Sequence, residues 1–185
     1  THRRYAALIS LPDLDQHPVA DSRALQGAVP VIDIDALLKT GNAADVAVRP
    51  VVDAIASACR DWGFFQVVNH GVSSRLIDET WQEMRRFFEL PDSVKDSILR
   101  TRENPWGYYN NELTKNRRDK KEVFDFTVPG IDPIYQSQNR WPPVDGRFRD
   151  TMLAYLDACS RLSLKLLEAF CAGLGLPPDC LHPEF

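Results

Sequence analysis

The chain holds four histidines, His2, His17, His70 and His182. A metal centre of the two-histidine, one-carboxylate kind needs two of them and an acid on one face, with open positions left over. One His-x-acid match occurs, His182-Pro183-Glu184. It reads as two of three ligands, or as a polar turn following Pro177-Pro178. The central proline suits a turn better than a strand, and no histidine follows Glu184 in this sequence. His70 sits in Asn69-His70-Gly71 and could serve as a ligand or general base. A turn histidine whose ring bonds the backbone is the better reading, since one histidine without partners makes no metal site. The expectation is therefore no metal site in this chain.

Trp106-Gly107-Tyr108-Tyr109-Asn110-Asn111 can do more. Rings with polar tips beside a glycine can line a pocket and hydrogen-bond its contents. Trp106, Tyr108, Tyr109 and Asn110 are the candidate substrate-binding residues, and the plain alternative is that they cover the core at a loop. Five of the seven residues Lys115–Lys121 are basic. They stand in a chain with 22 basic and 26 acidic residues, so a solvated loop is expected rather than a nucleic-acid surface. No GxSxG, GxxxxGK[ST] or paired CxxC occurs. Cys59, Cys159, Cys171 and Cys180 read as reduced core thiols, and Cys59 and Cys159 fall on apolar helical faces. With no apolar stretch after the basic start, the expected compartment is the cytoplasm. A chain that opens on Thr1 reads as trimmed.

The elements that must position these residues follow from periodicity. Pro30–Asp35 carries interleaved β-branched residues and predicts a short strand, with Asp35 capping a helix over Ala36–Lys39. Val48, Val52, Ile55, Cys59 and Trp62 recur at helical spacing, with Pro50 in the first turn and Gly63 past the end. Phe64–Val68 reads as a buried strand, and Asn69-His70-Gly71 as its turn. Ser73 or Ser74 then caps a helix whose inner face is Ile77, Thr80, Met84, Phe87 and Phe88. Pro91-Asp92-Ser93 opens a third helix. Glu122–Val128 alternates at period two, with Val123, Asp125 and Thr127 on one face and Phe124, Phe126 and Val128 on the other. A loop over Pro129–Gly146 leads to a helix of about seven turns, from Phe148 to Leu174.

At 185 residues, 44% apolar and 26% charged, the chain is one globular domain rather than a disordered segment. No apolar run approaches the ~20 residues that span a bilayer. The fold class is α+β, with three or four short strands and four or five helices. Residues 1–29 are expected to form an N-terminal arm, and 30–185 a domain ending in the long helix.

Cys59–Val72, with Trp62-Gly63-Phe64-Phe65-Gln66-Val67-Val68-Asn69-His70-Gly71 at its centre, resembles the N-terminal signature of the non-haem Fe(II), 2-oxoglutarate-dependent dioxygenases. These are the isopenicillin N synthase-like group. Pro30-Val31-Ile32-Asp33, Phe87–Pro91 with Lys95, Gly107-Tyr108-Tyr109, Lys121–Phe126, Asn139–Pro142 and Gly173–Pro177 follow in the family's order. The resemblance covers residues 30 to about 180.

The resemblance implies a mixed helix and strand region that packs on a double-stranded β-helix, or jelly roll, whose main part is absent from this chain. It implies that the family's His-x-Asp pair, its distant His and its Arg-x-Ser motif lie beyond the long helix. The complete protein would then be an Fe(II)- and 2-oxoglutarate-dependent dioxygenase that oxidises, commonly hydroxylates, a small organic substrate. Its partners would be that substrate and the missing C-terminal barrel, with no nucleic acid and no membrane. This chain alone would bind neither iron nor 2-oxoglutarate and would be inactive. Ascorbate in place of 2-oxoglutarate stays open, and so does the alternative of a non-enzymatic interaction module or one half of a split enzyme. In the family, the segment matching Gly107-Tyr108-Tyr109 can reach the mouth of the active site, while the histidine matching His70 is not an iron ligand.

Overall fold

The computed structural model describes residues 28–114, 117–129 and 138–182. All but the last two residues of the expected arm lie outside that part. In chain order the elements are β1 (Val31–Asp33), α1 (Asp35–Thr40), a 3-10 turn (Val46–Val48), α2 (Arg49–Asp61) and β2 (Gln66–Val68). Next come α3 (Ser74–Phe88), α4 (Asp92–Asp96), β3 (Gly107–Tyr109), β4 (Leu113–Thr114), β5 (Arg117–Arg118), β6 (Val123–Asp125) and α5 (Arg147–Gly173). The strands form three two-stranded sheets: β1 parallel to β2, β3 antiparallel to β6, and β4 antiparallel to β5.

α5 is the spine, because its two halves serve two cores. Its C-terminal half brings Leu162, Leu166 and Ala169 to a core of Ile34, Leu37, Val48, Val52 and Ile55, which joins β1, α1 and α2. Its N-terminal half brings Phe148 and Met152 to an aromatic core. There Phe87 of α3 stacks on Phe148 at 4.9 Å between centroids and meets Phe124 of β6 at 5.0 Å. Trp141 and Phe126 close the cluster around Phe124. Offset and edge contacts of this kind add to what burial of the rings already contributes. A polar clasp ties α3 to the start of α5. The buried Glu83 takes Arg86 at 3.4 Å and Arg147 at 3.1 Å, and Arg86 also pairs with Asp145 at 2.5 Å.

Several local expectations are corrected. Asp35 does not cap α1. Asp33, two residues earlier, accepts the Asp35 N–H at 2.9 Å instead. Neither Ser73 nor Ser74 caps α3 by a side-chain bond, although Ser73 stands at the N-cap. Phe64–Val68 is not a buried strand. β2 has only three residues, and it pairs with β1 alone. With no second layer on its outer side among the described residues, Phe64 is 56% exposed and Val68 faces out as well. Cys59 is exposed, because the helical stripe of α2 turns toward Val52, Ile55 and Ala58. The six strands among the described residues exceed the expected number because they are two or three residues long, too short for an alternating pattern to register. At the end of α5, Leu174 is exposed rather than part of the inner stripe.

Candidate functional site

The expected site residues lie on and around β3. The chain reaches it through Ile98–Arg100, which pairs alongside: Tyr108 donates to the Ile98 carbonyl at 3.0 Å, and Arg100 donates to the Tyr108 carbonyl at 2.9 Å. β6 takes the other side, with Gly107 opposite Asp125, Tyr108 opposite Phe124 and Tyr109 opposite Val123. Gly107 is what lets the ribbon close. Its φ is +129°, and a Cβ there would stand 2.3 Å from the Ile98 carbonyl oxygen. Two further side chains fasten the edges. Arg140 donates to the carbonyls of Leu99 at 2.5 Å and Ser97 at 3.1 Å. Asn139 bonds both the N–H and the carbonyl of Thr127, at 2.9 and 2.7 Å.

Strand alternation divides the ribbon into two faces. Tyr108 and Phe124 turn into the aromatic core. Tyr109, Val123 and Asp125 lie on the opposite, half-buried face. There the Arg100 guanidinium sits 3.6 Å from the centroid of the Tyr109 ring. Its Nη1 donates to Asp125 Oδ2 at 3.0 Å, which holds the cation over the ring. The Tyr109 hydroxyl donates to the Asn111 carbonyl at 2.8 Å. Its single proton is thus committed, and its oxygen is left as an acceptor.

The structure therefore separates the four expected residues. Tyr109 alone sits on the outer face. Tyr108 is buried, and its hydroxyl donates to Glu122. Asn110 is half-buried, just past the end of β3. Trp106 is half-buried, and its backbone N–H is fixed by Asn104 Oδ1 at 3.0 Å.

Behind Tyr108 lies a polar cluster that the sequence reading did not single out. The buried Lys95 donates to Glu122 at 2.7 Å and to the Phe88 carbonyl at 3.2 Å, and pairs with Asp92 at 3.2 Å. Burial works against its charge, but the bonds to Glu122 and Asp92 together raise its pKa above the ordinary lysine value. The bonds from Lys95 and Tyr108 hold the Glu122 carboxyl below the usual range. Burial and the bond to Glu122 push the Tyr108 phenol up.

Arg100 and Asp125, which back Tyr109, were not among the expected residues either. The signal for Asp125 was present: the period-two run puts it on the face opposite Phe124. What the sequence lacks is the register that sets it across from Gly107, and the turn that returns Arg100 to the ribbon.

The other expected positions have ordinary partners. His70 Nδ1 accepts the Val72 N–H at 3.2 Å, so it is a turn residue whose ring bonds backbone. His182 Nε2 meets Glu168 at 3.3 Å, while Pro183 and Glu184 lie outside the described residues. Among the described residues no group of three or more His, Cys, Asp or Glu could hold a metal ion, so these residues do not offer an iron site. In the basic run Arg117, Lys120 and Lys121 are exposed, and Lys121 pairs with Glu112 at 3.0 Å; Lys115 and Asn116 lie outside the described residues. No helix among the described residues is long and apolar enough to cross a membrane.

A short aromatic ribbon clasped to a long helix, beside a parallel strand pair, makes up a mixed helix and strand region. Residues 29–144 match the family described as non-haem dioxygenase in morphine synthesis, N-terminal, and the chain belongs to that family. It is 32% identical over 174 residues to a homoarginine-6-hydroxylase of Arabidopsis thaliana, covering 86% of this chain and 48% of the relative. It is 31% identical over 169 residues to the flavonol synthase/flavanone 3-hydroxylase of the same plant, covering 90% and 48%. Among solved structures, JOX2 in complex with 2OG, Fe and JA superposes with a TM-score of 0.66 at 28% identity, over 97% of this chain and 49% of that one. A full-length Neurospora crassa protein, solved in complex with alpha-KG and 5-formyluracil, gives 0.68 at 23% identity over 82% and 46%, which is a likeness of fold. The chain spans about half the length of the curated relatives it matches.

Proposed function

We propose that this chain is the N-terminal part of an Fe(II)- and 2-oxoglutarate-dependent dioxygenase that oxidises a small organic substrate. Membership of the family over residues 29–144 carries the reading. The JOX2 complex, described as holding 2OG and Fe in a chain about twice as long, supports it. In the whole protein the iron and 2-oxoglutarate would be held by residues beyond the described ones. There they would supply the oxidising chemistry, coupling decarboxylation of 2-oxoglutarate to oxidation of the substrate. The jelly-roll barrel is the missing partner, and it packs against the faces that this region leaves open. The relatives' substrates suggest the class: flavonoids, homoarginine and similar small molecules.

This chain's contribution is a wall of the substrate pocket. The outer face of β3 and β6 offers Tyr109 as a rigid acceptor, backed by Arg100 and Asp125. Asn110 and Trp106 shape the approach to it. Tyr108 acts through its neighbours, as it holds β3 down on the core.

The test uses the full-length protein loaded with Fe(II). Succinate release from 2-oxoglutarate is followed with a panel containing a flavanone, a flavonol and homoarginine. The expected result is iron-dependent succinate release stimulated by one substrate class. Tyr109→Ala should then raise KM for that substrate about tenfold, with Tyr108→Phe changing stability more than KM. Absence of iron-dependent 2-oxoglutarate turnover in the full-length protein would overturn the reading.

A further inference from the structure

The outer face of the ribbon carries both signs of charge, and much of their bonding capacity is unspent. A guanidinium has five N–H donors. Arg100 gives one of them, on Nη1, to Asp125 Oδ2 at 3.0 Å, and no other side-chain acceptor or carbonyl meets its guanidinium among the described residues. The Nε–Nη2 edge is therefore open, and that edge is a fork that takes a carboxylate on two parallel bonds. Asp125 is engaged through Oδ2 alone, so Oδ1 is left to accept. The Tyr109 hydroxyl has given its proton to the Asn111 carbonyl, and its oxygen is an acceptor as well. The side chains of Arg100 and Asp125 are 34% and 38% exposed, so a molecule on this face can reach them. Placement is fixed from behind. The guanidinium lies 3.6 Å from the Tyr109 ring centroid, and β3 is held to β6 and to Ile98–Arg100. An exposed ion pair adds little to stability. What this one adds is a pattern, a fork of donors beside two acceptor oxygens.

We propose that this face selects a substrate by a free amino-acid head group, with its carboxylate on the Arg100 fork and its ammonium on Asp125 Oδ1 and the Tyr109 hydroxyl oxygen. The inference rests on the dioxygenase reading and narrows its substrate class. The charges argue for a zwitterion. Arg100 and Asp125 offset each other, so a lone carboxylate meets the repulsion of Asp125, and a lone ammonium that of Arg100. A head group with both charges finds an opposite one at each end and brings no net charge. Discrimination follows from the same arrangement. An analogue that lacks one group leaves a polar partner on the protein unpaired, which costs more than the missing contact alone. Arg100 and Asp125 are thus specificity-determining residues, with roles that one substitution at each can separate.

The test uses the full-length protein with Fe(II) and 2-oxoglutarate. Succinate release is followed with each common L-amino acid, with L-homoarginine and with a flavanone. The best amino acid is then compared with its N-acetyl, methyl-ester and des-amino forms. The expected result is release raised by a free amino acid, with KM about tenfold higher for each altered form. Arg100→Lys keeps the cation but loses the fork, and should raise KM about tenfold with little change in kcat. Asp125→Asn should raise KM for the free amino acid and lower it for the des-amino acid, because the repulsion of a lone carboxylate goes with the charge. A residue that only propped Tyr109 would move both substrates the same way. Isothermal titration of the same compounds into the full-length protein should give the same order in Kd. Iron-dependent release that no free amino acid raises overturns the inference and leaves the dioxygenase reading standing. So does an Asp125→Asn effect of one sign on both compounds. Absence of iron-dependent release with any compound removes the dioxygenase reading, and the inference falls with it.

Discussion

Lys95 shows how much one residue can decide. A lysine stripped of water is tolerated only where its charge is matched. Here Glu122, Asp92 and the Phe88 carbonyl match it, and Tyr108 adds its hydroxyl to the same Glu122 oxygen. Lys95→Met should destabilise the fold by about 2 kcal/mol, since it leaves a carbonyl and the Glu122–Tyr108 pair without their donor. Glu122→Gln should cost less, about 1 kcal/mol, because the carboxylate is 33% exposed and partly screened. Its effect depends on pH. Glu122 is held below the ordinary carboxylate range, so its contribution is complete above that range and fades as pH falls through its folded value. The gap in melting temperature between wild type and Glu122→Gln should be widest near neutrality and close in acid. A gap that stayed constant would mean that the Glu122 charge contributes nothing. Lys95 is shifted upward, so its share is lost only on the alkaline side, above the usual lysine range.

At the scale of the element, the ribbon of Ile98–Arg100, β3 and β6 is the part most sensitive to small change. Gly107→Ala would force a Cβ against the Ile98 carbonyl in a backbone region that L-residues avoid. It should cost about 3 kcal/mol and disturb Tyr108 and Tyr109 together. Gly63→Ala, also at positive φ but with nothing within 4 Å of the added carbon, is the control and should cost less. Thermal melts of the two variants separate backbone strain from a clash. The helices of this region were legible in the sequence, because α2, α3 and α5 each run long enough for a 3.6-residue stripe to repeat. Even there, one position drifted. The stripe through Val52 and Ile55 continues to Ala58 rather than Cys59, since side-chain type did not separate two small neighbours. The strands were less legible, as three residues give only one or two inward side chains and no repeat. The candidate site was half legible. Tyr109 stands out as a polar-tipped ring beside a glycine. Arg100 and Asp125 join it only through pairing between distant segments, and neither composition nor spacing encodes that.

At the scale of the whole molecule, the two cores share α5 but leave apolar surface on the β1–β2 side. Val31 is 58% exposed and Phe64 56%, with Val68 beside them on the same strand pair. A second apolar opening of about 280 Å³ lies between α3 and α5, lined by Ile77, Trp81, Met84, Phe126, Tyr155 and Cys159. A monomeric protein seldom leaves contiguous patches of this kind to water. The chain spans about half the length of its relatives, so the cover is expected from the other half of a longer protein. This leads to a prediction that needs no substrate. Residues 1–185 prepared alone should self-associate and bind a hydrophobic dye, whereas the full-length protein should do neither. Phe64→Ser with Val68→Thr should make the isolated chain more monomeric, because it removes the sticky face without touching either core. In the full-length protein the same pair should lower the melting temperature if the proposed barrel covers that face. Sedimentation velocity reads the first effect and a thermal melt the second. If the isolated chain is monomeric at high concentration and the double variant leaves the full-length melt unchanged, the β1–β2 face is ordinary surface, and the barrel packs elsewhere.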